Sequence, residues 1–452
     1  MNLKNKVLLL LSLFMFGSIF SQKRWTLEDC VSYAITNNLN LKDFELTTAS
    51  GKETYKQSFR EMLPSVSGFS DYNLTFGRSE DPNTGLFVNS DFFSNNYSLN
   101  ASLDLFQGFQ KLNMIKASKY LYKANMEDVK RQKFLLAFRV MSAFYDIQYY
   151  EGLLAISNSK VKVSKTNLVL VKKQIELGIK AGADIHEAKS TLLTDELEVT
   201  QNSNLLQEAK LRLIQEINLE GESTIEIYTE LLGEHKNEQE QKQNTDSIFT
   251  YAKEFLPTIK AQELRVKAAK KEIKAARGAL YPSLRLFAGI GTGYFETNTS
   301  EATNEVIPFK TQIEDNMSKR VGVSLNVPIS DKWSRRSRVK QQKIAYMRAN
   351  NNLKIQEQQL YQTIQQLIQS KNALAVEYEQ SFQQMNAGEQ TFKIAQKKYQ
   401  KGLISALDLN QAKNLFATSQ NKNLQVGLLL KVNSSTLDFY RGLPVFNINM
   451  NN

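Results

Sequence analysis

The chain has 452 residues, with 57 Lys and Arg against 46 Asp and Glu, a formal charge of +11. One cysteine, Cys30, excludes an intrachain disulfide, and two histidines offer little to a metal centre. The excess positive charge is dispersed among acidic residues, and its densest run, Lys332–Lys343, reads as a solvated helix start rather than a nucleic-acid surface.

Residues 1–21 read as a secretory signal peptide. Lys4 and Lys6 give the basic start, Val7–Phe16 the apolar stretch, and Ser21 a small residue before the cut at Gln22. No later stretch approaches the ~20 apolar residues of a transmembrane helix, so any membrane insertion falls to strands. Cys30 follows Asp29 well past the cleavage point, which argues against a lipid anchor. Residues 26–62 carry helical spacing, with Thr26 and Glu28-Asp29 as the start.

Pro64 ends that helix and opens a strand over about 64–76, in which Val66, Tyr72 and Leu74 alternate with Ser67, Asp71 and Asn73. Gly77–Asn95 has loop chemistry. The clearest alternation follows over about 96–105. Tyr97, Leu99, Ala101, Leu103 and Leu105 face one way; Asn96, Ser98, Asn100, Ser102 and Asp104 face the other. From about 111 to 177 the chain reads as one helix near 100 Å long at ~1.5 Å per residue. Val140, Ile147, Leu154, Val161, Leu168 and Ile175 recur every seven residues, with small Ala143, Ser157 and Ser164 on the same seam, the pattern of packed coiled-coil helices. A turn at Gly178–Ala183 leads into a returning helix over about 184–218, with Asp184 as its N-cap. Residues 219–246 read as an irregular, Glu/Gln/Lys/Asn-rich connector.

The chain then starts over. Pro64-Ser65 matches Pro282-Ser283 at an offset of 218, and Gly178-Ile179 and Asp184-Ile185 match Gly402-Leu403 and Asp408-Leu409 at 224. The second half (247–442, before a tail at 443–452) carries strands at about 283–295 and 319–329, a long helix at about 334–401 and a return at about 408–440. Leu284, Leu286, Ala288, Ile290 and Tyr294 are apolar with glycines at three of the alternate positions, and Val321, Val323, Leu325, Val327 and Ile329 alternate with Arg320, Gly322, Ser324 and Asn326. On the second long helix Leu360, Ile364, Leu367, Leu374, Phe382, Met385 and Phe392 are the apolar positions. Four strands per chain fall short of the eight of the smallest single-chain barrels, so strands in a membrane require several copies: two give eight strands and three give twelve. Two soluble hairpins over a small core are the alternative reading of the same alternation.

With the duplicated layout, the Leu63-Pro64-Ser65 and Tyr281-Pro282-Ser283 junctions and the paired turn motifs, the chain resembles the TolC-like outer membrane efflux proteins over its mature length. The resemblance implies an α+β membrane protein. Four strands from each chain of a homotrimer would form a shared 12-stranded outer-membrane β-barrel, continued by a helical coiled-coil barrel in the periplasm of a Gram-negative bacterium. It also implies a passive conduit for small molecules or proteins, working with a periplasmic adaptor (membrane fusion protein) and an inner-membrane pump, with no enzymatic activity, cofactor, metal or nucleic-acid partner. The periplasmic tip, where adaptors dock and the channel narrows, would fall on Gly178, Ile179, Asp184, Ile185, Gly402, Leu403, Ser405, Asp408 and Leu409. Turn glycines and helix caps alone would select the same residue types. Asn96, Ser98, Asn100, Ser102, Arg320, Ser324 and Asn326 would line the barrel, with Pro64 and Pro282 at the helix-to-strand junctions. A secreted coiled-coil structural or adaptor protein is the alternative function. His186-Glu187 lacks the second histidine of a zinc helix, since position 190 is Ser, and Gly289–Gly293 sits inside an alternating run rather than before a helix.

Overall fold

The computed structural model describes residues 24–80, 85–89, 91–228, 244–300, 302–303 and 305–446; the expected signal peptide lies outside them. In chain order the elements are β1 (Arg24–Trp25), α1 (Leu27–Asn37), α2 (Leu39–Arg60), β2 (Ser65–Thr75), β3 (Arg78–Glu80), β4 (Phe87–Asn89), β5 (Phe92–Gln107), α3 (Gln110–Glu176), α4 (Asp184–Ile217), β6 (Glu226–Ile227), α5 (Thr245–Phe255), α6 (Pro257–Gly278), β7 (Ser283–Phe295), α7 (Phe309–Asp315), β8 (Ser318–Asn326), α8 (Ser334–Gln400) and α9 (Ala406–Tyr440). None of the described helices is long and apolar enough to cross a membrane.

The duplication reaches down to single hydrogen bonds. Thr26 and Asn244, 218 apart, are both N-caps; Thr26 forms a capping box with Asp29. The helical stretch expected over 26–62 is broken at Asn38, and the second copy breaks at the equivalent Leu256, both with extended backbone. The causes are local. The Asn38 side-chain oxygen accepts from the Leu41 N–H and caps α2, while Pro257 takes the first position of α6 and disfavours helix at Leu256. At the strand junctions Leu63 N–H donates to Arg60 and Tyr281 N–H to Gly278, so Pro64 and Pro282 each follow the same closing turn. Past the strands, Gly108-Phe109 and Lys332-Trp333 occupy equivalent left-handed conformations (φ +57°, +61°, +55° and +65°).

Strands β2-β5-β7-β8 form one antiparallel sheet in that order, so the two hairpins join through β5 and β7. β5 starts four residues earlier than expected, at Phe92, and the preceding segment holds the short β3–β4 hairpin rather than loop alone. β8 ends at Asn326, so Val327 and Ile329 lie beyond the strand; Pro328 has no N–H to continue the ladder. The register puts Val66, Ala101, Ala288 and Val321 in one cross-strand row and Ser67, Asn100, Gly289 and Arg320 in the next. One face is therefore mainly apolar and the other mainly polar, with Phe69, Phe92, Phe287 and Phe295 as aromatic members of the polar face.

The chain divides into two compact units, and they do not follow the repeats. One takes residues up to 45, 128–259 and from 356 onward; the other takes 46–127 and 260–355, so each draws on both halves. The core of the first unit gathers Trp25, Cys30, Val31 and Ala34, the α3 residues Leu136, Val140, Phe144 and Ile147, and Leu213 and Ile217 of α4. On α3 the expected seam is buried at Val140, Ala143, Ile147, Ser157, Val161 and Ser164. It then shifts to Asn167 and Val171 in place of Leu168 and Ile175, as expected when a 3.6-residue turn outruns a seven-residue repeat. On α8 Leu360 and Ile364 are buried, but Ser381 takes the buried place instead of Phe382, and accepts a 3.1 Å hydrogen bond from Asn423 of α9. The connector contributes β6, which pairs in parallel with β1.

Candidate functional site

Both helix-hairpin turns are built by the same backbone device. Gly178 and Gly402 each have φ +72°. Gly178 N–H donates to Ile175 and Ile179 N–H to Gln174; Gly402 N–H donates to Tyr399 and Leu403 N–H to Lys398. This is the Schellman arrangement, which needs a left-handed residue and so favours glycine. The residue after each glycine, Ile179 and Leu403, is two-thirds exposed.

The second turn closes on a capping box. Ser405 Oγ accepts from the Asp408 N–H at 3.1 Å, and Asp408 Oδ2 accepts from the Ser405 N–H at 3.0 Å and from its hydroxyl at 2.7 Å. The Ser405 hydroxyl, and then its backbone N–H, hold the Asp408 carboxyl below the usual range. The first turn differs. Asp184, expected as the N-cap, is the first residue of α4, and the cap position falls on Ala183 with no side-chain bond. The residue matching Ser405 is Ala181, which has no hydroxyl, so the box cannot form and Asp184 has lost the partner that Asp408 keeps. Ile185 is half-buried and Leu409 buried.

Between the two hairpins lie contacts that sequence reasoning missed. The Lys180 ammonium stands 3.3 Å from the Tyr399 hydroxyl and over its ring at 5.2 Å. Deeper, Lys413 of α9 meets Asp195 of α4 at 2.5 Å and the Ser164 hydroxyl of α3 at 2.8 Å, and Ser164 donates to Asp195 at 2.6 Å. Both charged side chains are 4% exposed. Lys160 approaches Asp195 to 3.6 Å and also pairs with Glu198. Burial pushes the Lys413 ammonium below its ordinary pKa, and Asp195 restores part of the loss. One signal was present: Asp195 stands seven residues from Ala188 and from Asn202, all three buried, so it is a charge on a seam.

The sheet forms the second part of the site. Asn96, Ser98, Asn100 and Ser102 of β5 and Arg320, Ser324 and Asn326 of β8 all lie on the polar face. Ser102 meets Ser65 at 2.9 Å, and Arg320 reaches across β7 to Asn100 at 3.1 Å. Near the helix end of this face Asp104 pairs with Arg285 at 2.9 Å and Lys111 at 2.8 Å. The opposite face leaves large apolar groups in the open: Val321 is 77% and Leu325 64% exposed. Tyr72, Phe93, Tyr97 and Tyr294 cluster towards the far end of that face, and Phe106, Phe109 and Trp333 stand at the helix end. Among the described residues no group of three or more His, Cys, Asp or Glu is placed to hold a metal.

A duplicated pair of 67-residue helices with a two-faced sheet defines a class, and comparison with known families agrees. The outer membrane efflux protein family model matches residues 30–218 and 252–443, and the chain belongs to that family. The family and the fold are those of channels, not enzymes. Among individual proteins, the chain is 22% identical over 403 residues to the cation efflux system protein CusC of Escherichia coli K12, covering 86% of this chain and 80% of CusC. A crystal structure of CusC superposes with a TM-score of 0.77 at 18% identity, covering 94% of this chain and 96% of that one. The Campylobacter jejuni CmeC outer membrane channel gives 0.77 at 14% identity, over 94% and 87%.

Proposed function

We propose that three copies of this chain close a 12-stranded barrel in the outer membrane and form a passive export duct. The observation that carries the reading is the sheet. It has one exposed apolar face, one polar face, and edges at β2 and β8 that find no strand partner among the described residues. In lipid each unpaired backbone group costs several kcal/mol, so β8 of one copy must pair with β2 of the next. Closure turns the polar face of Asn96, Ser98, Asn100, Ser102, Arg320, Ser324 and Asn326 to the lumen, because the apolar face suits lipid. The aromatic groups support the same placement. From Phe93 to Phe106 along β5, at ~3.3 Å per residue and ~40° tilt, the rise is about 33 Å, enough to set the two aromatic groups on either side of the ~25 Å apolar band of a membrane barrel.

The long helices then extend into the periplasm, and the turns at Gly178 and Gly402 form its end. Ile179 and Leu403, each following a left-handed glycine of a matching Schellman turn, offer a periplasmic adaptor two apolar knobs per chain; the Ser405–Asp408 box sets the second helix start behind them, while Asp184 opens the first without a cap. Energy for export comes from an inner-membrane pump joined through that adaptor. The test is the detergent-corrected mass of protein extracted from purified outer membranes. Three chains' worth, recovered only with detergent, is expected; a soluble monomer or dimer would refute the barrel and favour a secreted coiled-coil protein.

A further inference from the structure

Three glycines of β7, Gly289, Gly291 and Gly293, fall on the polar face of the sheet. Without side chains they floor an open trough of about 450 Å³. Asn96, Ser98, Asn100 and Ser318 supply amide and hydroxyl groups to its sides, and among the described residues Arg320 alone brings a charge to its lining.

The guanidinium, on an exposed side chain, has an anchor in the Asn100 side chain of β5. It lies across Gly289 with Nη2 3.1 Å from Asn100 Oδ1. A Cβ at Gly289 would stand 2.8 Å from Asn100 Oδ1 and 3.0 Å from Arg320 Nε, so the glycine is what lets the side chain lie flat on the wall. Asn100 uses one of the five N–H donors of the guanidinium, and among the described residues no carboxylate pairs with it. The carboxylates on the same face are engaged elsewhere: Asp104 with Arg285 and Lys111, and Asp71 with the Asn96 N–H and the Asn73 amide.

A planar cation with free donors, amides beside it and no compensating carboxylate is the chemistry that receives an oxyanion. We propose that the Arg320 trough is a binding station for solutes bearing phosphate, sulfate or carboxylate groups as they pass through the barrel. The inference rests on the polar face being luminal. In a closed trimer three such stations would ring the lumen at one level, where low-dielectric walls concentrate their field.

The test uses the purified, detergent-extracted protein, with inorganic tripolyphosphate as the probe. Calorimetric titration should show binding that Arg320→Gln weakens about ten-fold or more, the worth of a lost charge-assisted hydrogen bond. Gly289→Ala keeps the charge but displaces the guanidinium, and should weaken binding several-fold; a simple charge effect would leave it unchanged. In planar bilayers tripolyphosphate added on the barrel side should reduce the current of the wild type and spare Arg320→Gln. Conduction with no Arg320-dependent binding or block would overturn the station while leaving the duct intact. Arg320-dependent binding without conduction would keep Arg320 as an oxyanion site but overturn the duct, and with it the station's role in passage. Neither binding nor conduction would overturn both.

Discussion

Removing either partner of the buried pair between Lys413 and Asp195 should destabilise the helical unit, and by unequal amounts. Each side chain is 4% exposed, so each ion has left water at a cost of several kcal/mol and is held by its neighbours. Asp195→Leu leaves the Lys413 ammonium with the Ser164 hydroxyl and the more distant Glu198 carboxylate, which the like charge of Lys160 offsets. That approaches the case of an uncompensated buried charge, about 3 kcal/mol or somewhat more. Lys413→Met leaves Asp195 with the Ser164 hydroxyl at 2.6 Å and the Lys160 ammonium at 3.6 Å, so its cost should be smaller, about 2 kcal/mol. Replacing both at once removes two desolvation penalties together and should fall within about 1 kcal/mol of the wild type. Urea unfolding followed by helical circular dichroism on all four proteins closes the cycle. Equal costs for the two single variants would show that Lys160 does not compensate. Costs below about 0.5 kcal/mol for both would show that the pair is not desolvated.

The same lysine gives a pH dependence. Its pKa is lowered in the folded chain, so between that value and about 10.4 the unfolded chain binds more protons and stability rises with pH. The lead of the wild type over Lys413→Met should therefore widen from neutral pH toward about 10, and melts that show it narrowing would contradict the burial argument. On the sheet, Asp at Leu325 should impair trimer assembly by on the order of 1–3 kcal/mol per chain, whereas Asp at Ser324, opposite Arg285, should be tolerated. Equal yields of detergent-stable trimer from both variants would reverse or abolish the face assignment. Lys332→Gly should raise the melting temperature, since a left-handed lysine at φ +55° gives up about 1 kcal/mol that glycine at the equivalent Gly108 does not. A lower melting temperature would mean that the lysine side chain matters more than the backbone.

Much of this protein was legible in the sequence because its signals are local. Alternation in Asn96–Leu105 fixes two strand faces, since a strand repeats every two residues. Gly178 and Gly402 mark the hairpin turns because a Schellman turn needs a left-handed residue. The recurrence of Pro64 as Pro282 announces the duplication. The breaks at Asn38 and Leu256 were also within reach, through an Asx cap and a proline at a helix start. Asp184 is not an N-cap, and the repeat carries the reason: Asp408 stands at the third helical position, three residues after Ser405, and Ala181 has no hydroxyl to play that part.

What only the tertiary structure decided is how the halves combine. Sheet formation joins β5 to β7, and each compact unit is made from pieces of both repeats. Lys413 meets Ser164 across 249 residues of chain and Asp195 across 218, and Arg320 meets Asn100 across 220. Periodicity states which side of a helix or strand turns inward. It does not state which partner waits there, and a charge on a seam becomes intelligible only when the opposite charge is seen to arrive.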